Sequence, residues 1–380
     1  MPHLKTAPFD TSLMDSLNYI EFRGVSSSGD EIIGVDMDKK FLLHIKKRDK
    51  FFLIKPDKIS RPVEVEIIKE ALNLITKDLS LNVIHSNTKV SSKKPKPASK
   101  YSKSIKDFIN LDEFGFESIA LEVGFGSGRH LLYQADRNPD TLFIGIEIHT
   151  PSIEQVLKQI EIQGLRNIWI VNYDARLLLE MLPSNLLSNI YVHFPVPWDK
   201  KPHRRVINEK FLSEVVRVLK QDGELELRTD SPKYYFYSLE VFSSPQESDF
   251  RVQKNSFLEI ISKYEARWRR QNKDIYTVTL FNHQTSPKKS LNYDFGFGEC
   301  KVDKPKRLKE VFEGYFINIK EVFELKNGYL LEIAFGSFDR PEHKYILIRD
   351  SKISYFPDIP VPTAINQKSH NSLRETLCQM

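Results

Sequence analysis

Between residues 118 and 282, short apolar, β-prone runs alternate with longer segments of helical spacing, an order that few architectures accommodate. "SIALEVG", "TLFIGIEI", "NIWIVN", "NIYVHF" and "GELELRT" read as strands, while "RHLLYQADR", "PSIEQVLKQIEIQ", "ARLLLEML", "NEKFLSEVVRVLK" and "SPKYYFYSLEVF" read as helices. Pro151 suits a first helical position, and Ile153, Val156, Leu157 and Ile160 fall on one face of that helix. Strands joined by helices of this length need right-handed crossovers. The expected fold is therefore α/β and Rossmann-like, a mostly parallel sheet covered by helices on both faces. Ligands of such sheets bind at the C-terminal ends of the strands.

The first of those ends reads "LEVGFGSGRH". Gly124, Gly126 and Gly128 stand between a strand and a helix, where absent side chains let a ligand approach the backbone and the helix N-terminus. The spacing is G-x-G-x-G, not the dinucleotide G-x-G-x-x-G, and Glu122 just upstream would repel a diphosphate. The combination resembles motif I of class I S-adenosylmethionine methyltransferases, where a carboxylate at this place accepts from the cofactor's ammonium group. Glu147, at the next strand end, is placed to accept from ribose hydroxyls, and Asp174, after the third strand, from an adenine amine. Asp174 also fits a helix N-cap before "ARLLLEML", and Glu147 a solvated strand end; the sequence leaves both pairs of readings open.

The fourth strand runs into "HFPVPWDKKPHRR", which delivers Trp198, Lys200, Lys201, His203, Arg204 and Arg205 to one strand end. A second basic and aromatic patch follows in "KYEARWRRQNK", with Lys263, Arg267, Arg269 and Arg270 around Trp268. "LEVGFGSG", "FIGIEIH", "NYDA", "HFPVPWDKKPHRR", "RTD" and "SKYE" occur in that order, and over roughly residues 115–284 the chain resembles the tRNA (guanine-N7)-methyltransferase family. The resemblance implies a class I methyltransferase fold, S-adenosylmethionine as cofactor, tRNA as partner, and methyl transfer to N7 of a guanosine in the variable loop, position 46 in tRNA numbering.

By motif, Glu122, Glu147 and Asp174 match the family's cofactor acids. Lys200 matches a substrate-contacting lysine and Asp230 the acid of its Thr-Asp pair, and these two are the expected catalytic residues. Ser262, Lys263, Tyr264 and Glu265 match a substrate loop. Trp198 is expected to stack on an extruded base, with Arg204 and Arg205 on phosphates. Val196 departs from the pattern, because it stands where the family has an aspartate regarded as catalytic; Asp199 is the nearest substitute. Guanine N7 carries an in-plane lone pair and no proton, so its methylation needs alignment more than a base. A tRNA-binding protein with a cofactor site but without efficient turnover is the alternative reading that Val196 motivates.

From Lys89 to Lys106 seven lysines and no acidic residue are mixed with Ser, Pro and Ala, so residues 89–110 read as a basic, flexible linker. That leaves residues 1–88 as an N-terminal α+β or β domain, 111–285 as the methyltransferase domain and 286–380 as a β-rich C-terminal domain. "KFLLHIKKRDKFFLIK" reads as a hairpin, "EVEIIKEALNLITKDL" as a strand followed by a short helix, and Asn327-Gly328 as a two-residue hairpin turn. "KYILIRDSKISYFPD" faintly echoes "FLLHIKKRDKFFLIKPD", so the flanking regions could be diverged copies of one unit. Cys300 and Cys378 fit no metal-ligand spacing and read as reduced thiols. No metal, no membrane and no obligate protein partner is expected. No apolar run nears the ~18 residues of a membrane span, and the N-terminal residues show no secretory signal, so the cytoplasm is the expected location.

Overall fold

The computed structural model describes residues 2–60, 65–89, 99–108, 114–245, 247–289, 293–338, 340–350 and 352–380. The chain forms two units, Met1–Lys94 with Tyr293–Met380, and Pro95–Asn292. The first unit begins with β1 (Leu4–Thr6), β2 (Ile20–Ser26), β3 (Glu31–Asp36), β4 (Lys40–Arg48), β5 (Phe51–Pro56), α1 (Val65–Asp78) and β6 (Val83–Ser86). The second holds β7 (Ser102–Lys103), β8 (Ser118–Val123), α2 (Arg129–Arg137), β9 (Thr141–Ile146), α3 (Thr150–Gln163), β10 (Ile168–Val171) and α4 (Ala175–Met181). It continues through β11 (Leu187–His193), α5 (Glu209–Val218), β12 (Leu219–Thr229), α6 (Pro232–Phe242), β13 (Ser248–Lys254), α7 (Lys263–Arg270) and β14 (Tyr276–Asn282). The chain then returns to the first unit with β15 (Leu308–Phe312), β16 (Tyr315–Leu325), β17 (Gly328–Gly336), β18 (Pro341–Arg349), β19 (Lys352–Phe356) and α8 (Ala364–Cys378).

The sheet of the second unit has the order β13-β14-β12-β11-β8-β9-β10-β7. The strands from β7 to β12 are parallel, and β14 and β13 close one edge antiparallel. This is the expected α/β sheet, with its topological switch at β8: the chain builds β9 and β10 on one side, then crosses to β11 on the other. The helix α3 contains Pro151 in its first turn, buries Ile153, Val156, Leu157 and Ile160, and ends at Gly164, whose φ of 68° closes the last turn. The helix α5 stops at Val218, short of its sequence pattern, because Leu219 already pairs with Leu187. β13 escaped the sequence reading because six of its seven residues are exposed, leaving no alternating burial pattern.

The expected linker is corrected where it can be followed. Residues 90–98 and 109–113 lie outside the described residues, but Ser102 and Lys103 pair with Ile170 and Val171, and Tyr101, Ile105 and Phe108 are buried. Phe108 packs against Trp169 at 6.0 Å between ring centroids, and the Lys103 ammonium stands 5.0 Å from the same indole. Three apolar anchors order this segment in spite of its lysines.

The two flanking regions, expected as separate domains, are halves of one unit. Its sheet runs β19-β18-β17-β16-β2-β3-β4-β5-β1-β6, with β15 also on β16. β2 and β16 pair antiparallel at the seam, each the first strand of a four-strand meander that a helix follows. In separate domains those two strands would be bare edges. The sequence echo falls on the third and fourth strands of each meander, β4–β5 and β18–β19. Cores lie under α1 in one half and α8 in the other, and a third joins Phe22, Ile32 and Leu42 to Phe323, Leu330, Tyr345, Leu347 and Phe356. The expected strand before α1 is helical from Val65, with Ile68, Ala71, Leu72 and Ile75 buried at helical spacing. The hairpin turn is Lys326-Asn327, one residue earlier than expected; Gly328 pairs with Leu325, and a Cβ there would meet the Ile348 carbonyl oxygen at 1.9 Å. Cys300 and Cys378, read as reduced thiols, are bonded to each other, with Cα atoms 5.2 Å apart. Among the described residues no helix is long and apolar enough to cross a membrane.

Candidate active site

β8 and β11 are parallel neighbours, with Glu122 opposite Tyr191 and Val123 opposite Val192. The glycine turn that leaves β8 and the Pro-Val-Pro-Trp loop that leaves β11 therefore emerge side by side at the switch point. In the turn, Gly124, Gly126 and Gly128 all have left-handed φ, between 54° and 71°. A Cβ at Gly128 would meet Val156 at 2.4 Å, so this glycine lets α3 close on the turn. A Cβ at Gly124 would meet nothing within 4 Å, which leaves that flank of the turn open, and one at Gly126 would lie 3.9 Å from the Tyr264 ring. Tyr264 thus leans over the turn from α7 while remaining mostly exposed.

Glu147 ends β9. Its Oε2 accepts from the Gly126 N–H at 3.0 Å, and its Oε1 from the N–H groups of Ile148 and His149 at 2.8 and 3.0 Å. The carboxylate ties the glycine turn to the β9–α3 turn at the open strand end. Asp174 takes the capping role left open by its sequence: it accepts from the Arg176 N–H at 2.9 Å and from the Arg176 guanidinium at 2.6 Å.

Glu122 is buried, and its Oε2 lies 2.8 Å from His130 Nδ1 on α2. His193 Nε2 meets Glu226 Oε1 at 2.8 Å, and the two imidazole rings lie 4.6 Å apart. Arg228, fully buried, donates to Glu265 Oε1 at 2.8 Å and to Thr277 at 2.7 Å, and Arg269 reaches the same Glu265 oxygen at 2.7 Å. A row of buried and half-buried ionisable side chains thus runs across one face of the sheet from α2 to α7. Burial alone lowers the basicity of His130, but the Glu122 carboxylate outweighs it and raises His130 above an ordinary histidine. Burial holds His193 below the ordinary value, against the pull of Glu226. Burial raises Glu226, and the hydrogen bond from His193 outweighs that and lowers it. Ligand atoms of Glu122, His130 and His193 lie within 4.8 Å of one another, a donor set of the kind that holds a divalent cation, yet each is already engaged in these pairs.

The β11 loop is held under strain. Phe194 and Trp198 have φ of 52° and 46°, a conformation costly for bulky residues that persists only where the surroundings impose it. Those surroundings are identifiable: the Phe194 N–H bonds the Arg228 carbonyl at 2.7 Å, and the Lys201 N–H bonds that of Trp198 at 2.8 Å. Arg205 completes the clasp. Expected to hold phosphate, it is buried, donates to the Pro197 carbonyl at 2.8 Å, pairs with Asp199 at 3.5 Å and lies over the Tyr237 ring at 4.5 Å. Asp199, the candidate substitute for the missing aspartate, is exposed on the loop and reaches Arg205 only at that distance. Val196, Trp198, Lys200 and Arg204 remain exposed, with Arg204 5.2 Å from the Trp198 ring. Lys200 has no ion pair among the described residues.

Asp230 is not the cap of α6; Ser231 is, and Asp230 pairs with Lys273 at 2.7 Å. Lys273 also stands 3.7 Å over the Trp268 ring and so joins the second basic patch to the Thr-Asp pair, a link its sequence position did not reveal. In the "SKYE" loop Ser262 caps α7 and Lys263 and Tyr264 are exposed. Glu265, expected to contact substrate, is 1% exposed and consumed by Arg228 and Arg269. His130, His193, Glu226 and Arg228 were missed in the sequence. The available signal was the alternation of Glu224, Glu226 and Arg228 with leucines in "ELELR".

Residues 117–278 match the family described as "Putative methyltransferase". A tRNA (guanine-N(7)-)-methyltransferase of Wolinella succinogenes is 41% identical, over 92% of this chain and 91% of its own. Proteins of the same name from Campylobacter fetus and Helicobacter pylori are each 39% identical, the first over 94% of both chains and the second over 90% of this chain and 88% of its own. These matches extend through the first unit as well as the second.

Proposed function

The chain belongs to the tRNA (guanine-N7)-methyltransferase family, and from that premise we propose that it methylates N7 of the guanosine at position 46, in the variable loop of tRNA. It is an S-adenosylmethionine-dependent enzyme that acts on guanosine N7 of tRNA. The observation that best supports the site assignment is the pairing of β8 with β11, which sets the glycine turn beside the Trp198 loop.

The residues at the turn fit the cofactor: the open side of Gly124 and the Glu147 carboxylate at the strand end suit a nucleoside with free hydroxyls. S-adenosylmethionine supplies there an electrophilic methyl group on a sulfonium. Glu147 would hold the ribose, the glycine turn would admit the amino-acid end, and Asp174 would lie nearest the base. Trp198 and Tyr264, both exposed, would flank the extruded guanine. Lys200 and Arg204 would hold its phosphates, and Asp230, kept in place by Lys273, would accept from its N–H groups.

N7 has no proton to surrender, so the chain's contribution is alignment of the lone pair with the methyl carbon and exclusion of other poses. The strained, clasped loop does that work, and Val196 is no obstacle to it. Mass spectrometry of tRNA nucleosides after incubation with S-adenosylmethionine tests the proposal. It predicts 7-methylguanosine, lost when guanosine 46 of the transcript is replaced by adenosine. Undiminished product from the replaced transcript would contradict it.

A further inference from the structure

Outside the active site, the N-terminal half of the first unit contains a run of strands that carry one sign of charge. The four strands β1, β4, β5 and β6 contain Lys5, Lys40, Lys46, Lys47, Arg48 and Lys55 and no Asp or Glu. Their register sorts those cations. Leu4, Leu43, Ile45 and Ile54 point into the core under α1. The opposite face therefore carries Lys5, Lys46, Arg48 and Lys55, since Lys46 and Lys5 both pair with Leu53, Lys55 with His44 and Arg48 with Phe51.

The two sets of cations are treated differently. Lys47, on the α1 side, pairs with Glu31, and Lys40, at the far end of β4, pairs with Glu21 and Asp36. Lys5, Lys46, Arg48 and Lys55 have no ion pair among the described residues, although all four are exposed or half-exposed. Lys5 stands 3.9 Å over the half-exposed Phe51 ring. Asp57, at the end of this face, is buried and bonded to His44 and Tyr345, and Asp49 in the hairpin turn is offset by its neighbour Lys50.

The second half of the unit supplies an internal control. Aligning Arg48-Asp49 with Arg349-Asp350 and Pro56-Asp57 with Pro357-Asp358 places His44, Lys46 and Lys55 against Tyr345, Leu347 and Phe356. Those three are buried in the shared core, and Arg349 pairs with Glu21 and Asp350. One copy of the face is packed and neutralised; in the other, Lys5, Lys46, Arg48 and Lys55 have no ion pair among the described residues, and of its lysines and arginines only Lys40, at its far end, is paired, with Glu21 and Asp36. Four unpaired cations spread over three adjacent strands, with an aromatic ring among them, complement a polyanionic backbone.

We propose that this face of β1, β4 and β5 is a second tRNA-binding surface, which holds the phosphate backbone of the substrate away from the modified nucleotide. The inference rests on tRNA being the substrate, as proposed above. Its test is a full-length variant carrying Lys5→Gln, Lys46→Gln, Arg48→Gln and Lys55→Gln, with a comparison variant carrying Lys301→Gln, Lys304→Gln, Lys306→Gln and Lys309→Gln. Unmodified tRNA transcript is the probe, with binding measured over a series of salt concentrations. The first variant should bind at least tenfold more weakly, and its salt dependence should flatten by about one unit of slope for each phosphate that is no longer held. KM for tRNA should rise while kcat at saturating tRNA and affinity for S-adenosylmethionine stay unchanged, and the comparison variant should behave like the parent. Parental binding and salt slope in the first variant, or equal losses in both, would overturn the inference. A parent enzyme that leaves tRNA unmethylated would instead overturn the function on which it rests.

Discussion

Two rows of charged residues cross the second unit within a few residues of each other, and they have opposite fates. Glu147, Lys200 and Asp230 stand at open strand ends or on an exposed loop; backbone N–H groups hold the first, a lysine the third, and Lys200 has no ion pair among the described residues. Glu122, His130, His193, Glu226, Arg228 and Glu265 are packed against one another on a covered face of the sheet. A carboxylate in the first row keeps lone pairs for a ligand. In the second row the carboxylates are engaged by neighbouring histidine and arginine side chains, which favours a positioning role for them. The lesson is that a motif specifies which chemical group occurs at a strand end, while register and the covering helices decide what that group can touch.

Breaking the buried row should give the largest effect. Arg228→Met leaves Glu265 with only the half-exposed Arg269 and loses the hydrogen bonds to Thr277 and Ser256. Removing one partner of a buried ion pair costs about 3–5 kcal/mol, which urea unfolding would register as a lower midpoint. The companion change Arg228→Met with Glu265→Leu should recover part of that loss, since no buried carboxylate is then left uncompensated. A single Arg228→Met variant as stable as the parent would show that the row does not hold the fold together.

The outward row should show the reverse behaviour, activity lost with stability kept. Lys200→Ala should slow single-turnover methylation more than tenfold at saturating tRNA and cofactor, with an unchanged unfolding midpoint. Val196→Asp, on the same loop, should change that rate by less than about tenfold, roughly 1.4 kcal/mol of barrier, because N7 requires no base. A parent enzyme inactive on every tRNA and made active by Val196→Asp would contradict the alignment argument.

A smaller effect divides the buried row itself by pH. His130 is raised above the ordinary histidine value, so its pair with Glu122 stabilises the fold fully below about pH 6.5 and is lost as pH rises through His130's own higher value. His193, lowered by burial, contributes in the opposite sense, its share falling as pH drops through its depressed value. The stability difference between the parent and His130→Gln should therefore be greatest in mild acid and shrink toward alkaline pH, as followed by urea unfolding across the range. A difference that grew with pH would show the sign to be wrong.

The alternation of strands and helices and the glycine turn were legible because period and spacing are local properties. Glu147 was legible for the same reason, as the acid that ends the next strand. Glu265 was not, because "SKYE" gives no sign that Arg228, 37 positions earlier, lies directly beneath it. Arg205 looked like its exposed neighbour Arg204, and only the closure of the loop onto Pro197 and Tyr237 separates them. The union of the flanking halves was invisible for a similar reason, since it rests on β2 pairing with β16 at opposite ends of the chain. The faint echo between "KKRDKFFLIKPD" and "LIRDSKISYFPD" was the one trace of it in the sequence.

The proposal that Glu147, and not Glu122, faces the cofactor can be tested directly. Calorimetric titration of S-adenosylmethionine into Glu147→Gln and Glu122→Gln compares them side by side, with unfolding as the second readout. Glu147→Gln should lose on the order of 1.5–3 kcal/mol of binding, the worth of hydrogen bonds to a charged acceptor, with its stability little changed. Glu122→Gln should bind within about threefold of the parent, a difference of less than about 1 kcal/mol, and unfold more easily. Parental affinity in Glu147→Gln together with weakened affinity in Glu122→Gln would contradict the assignment.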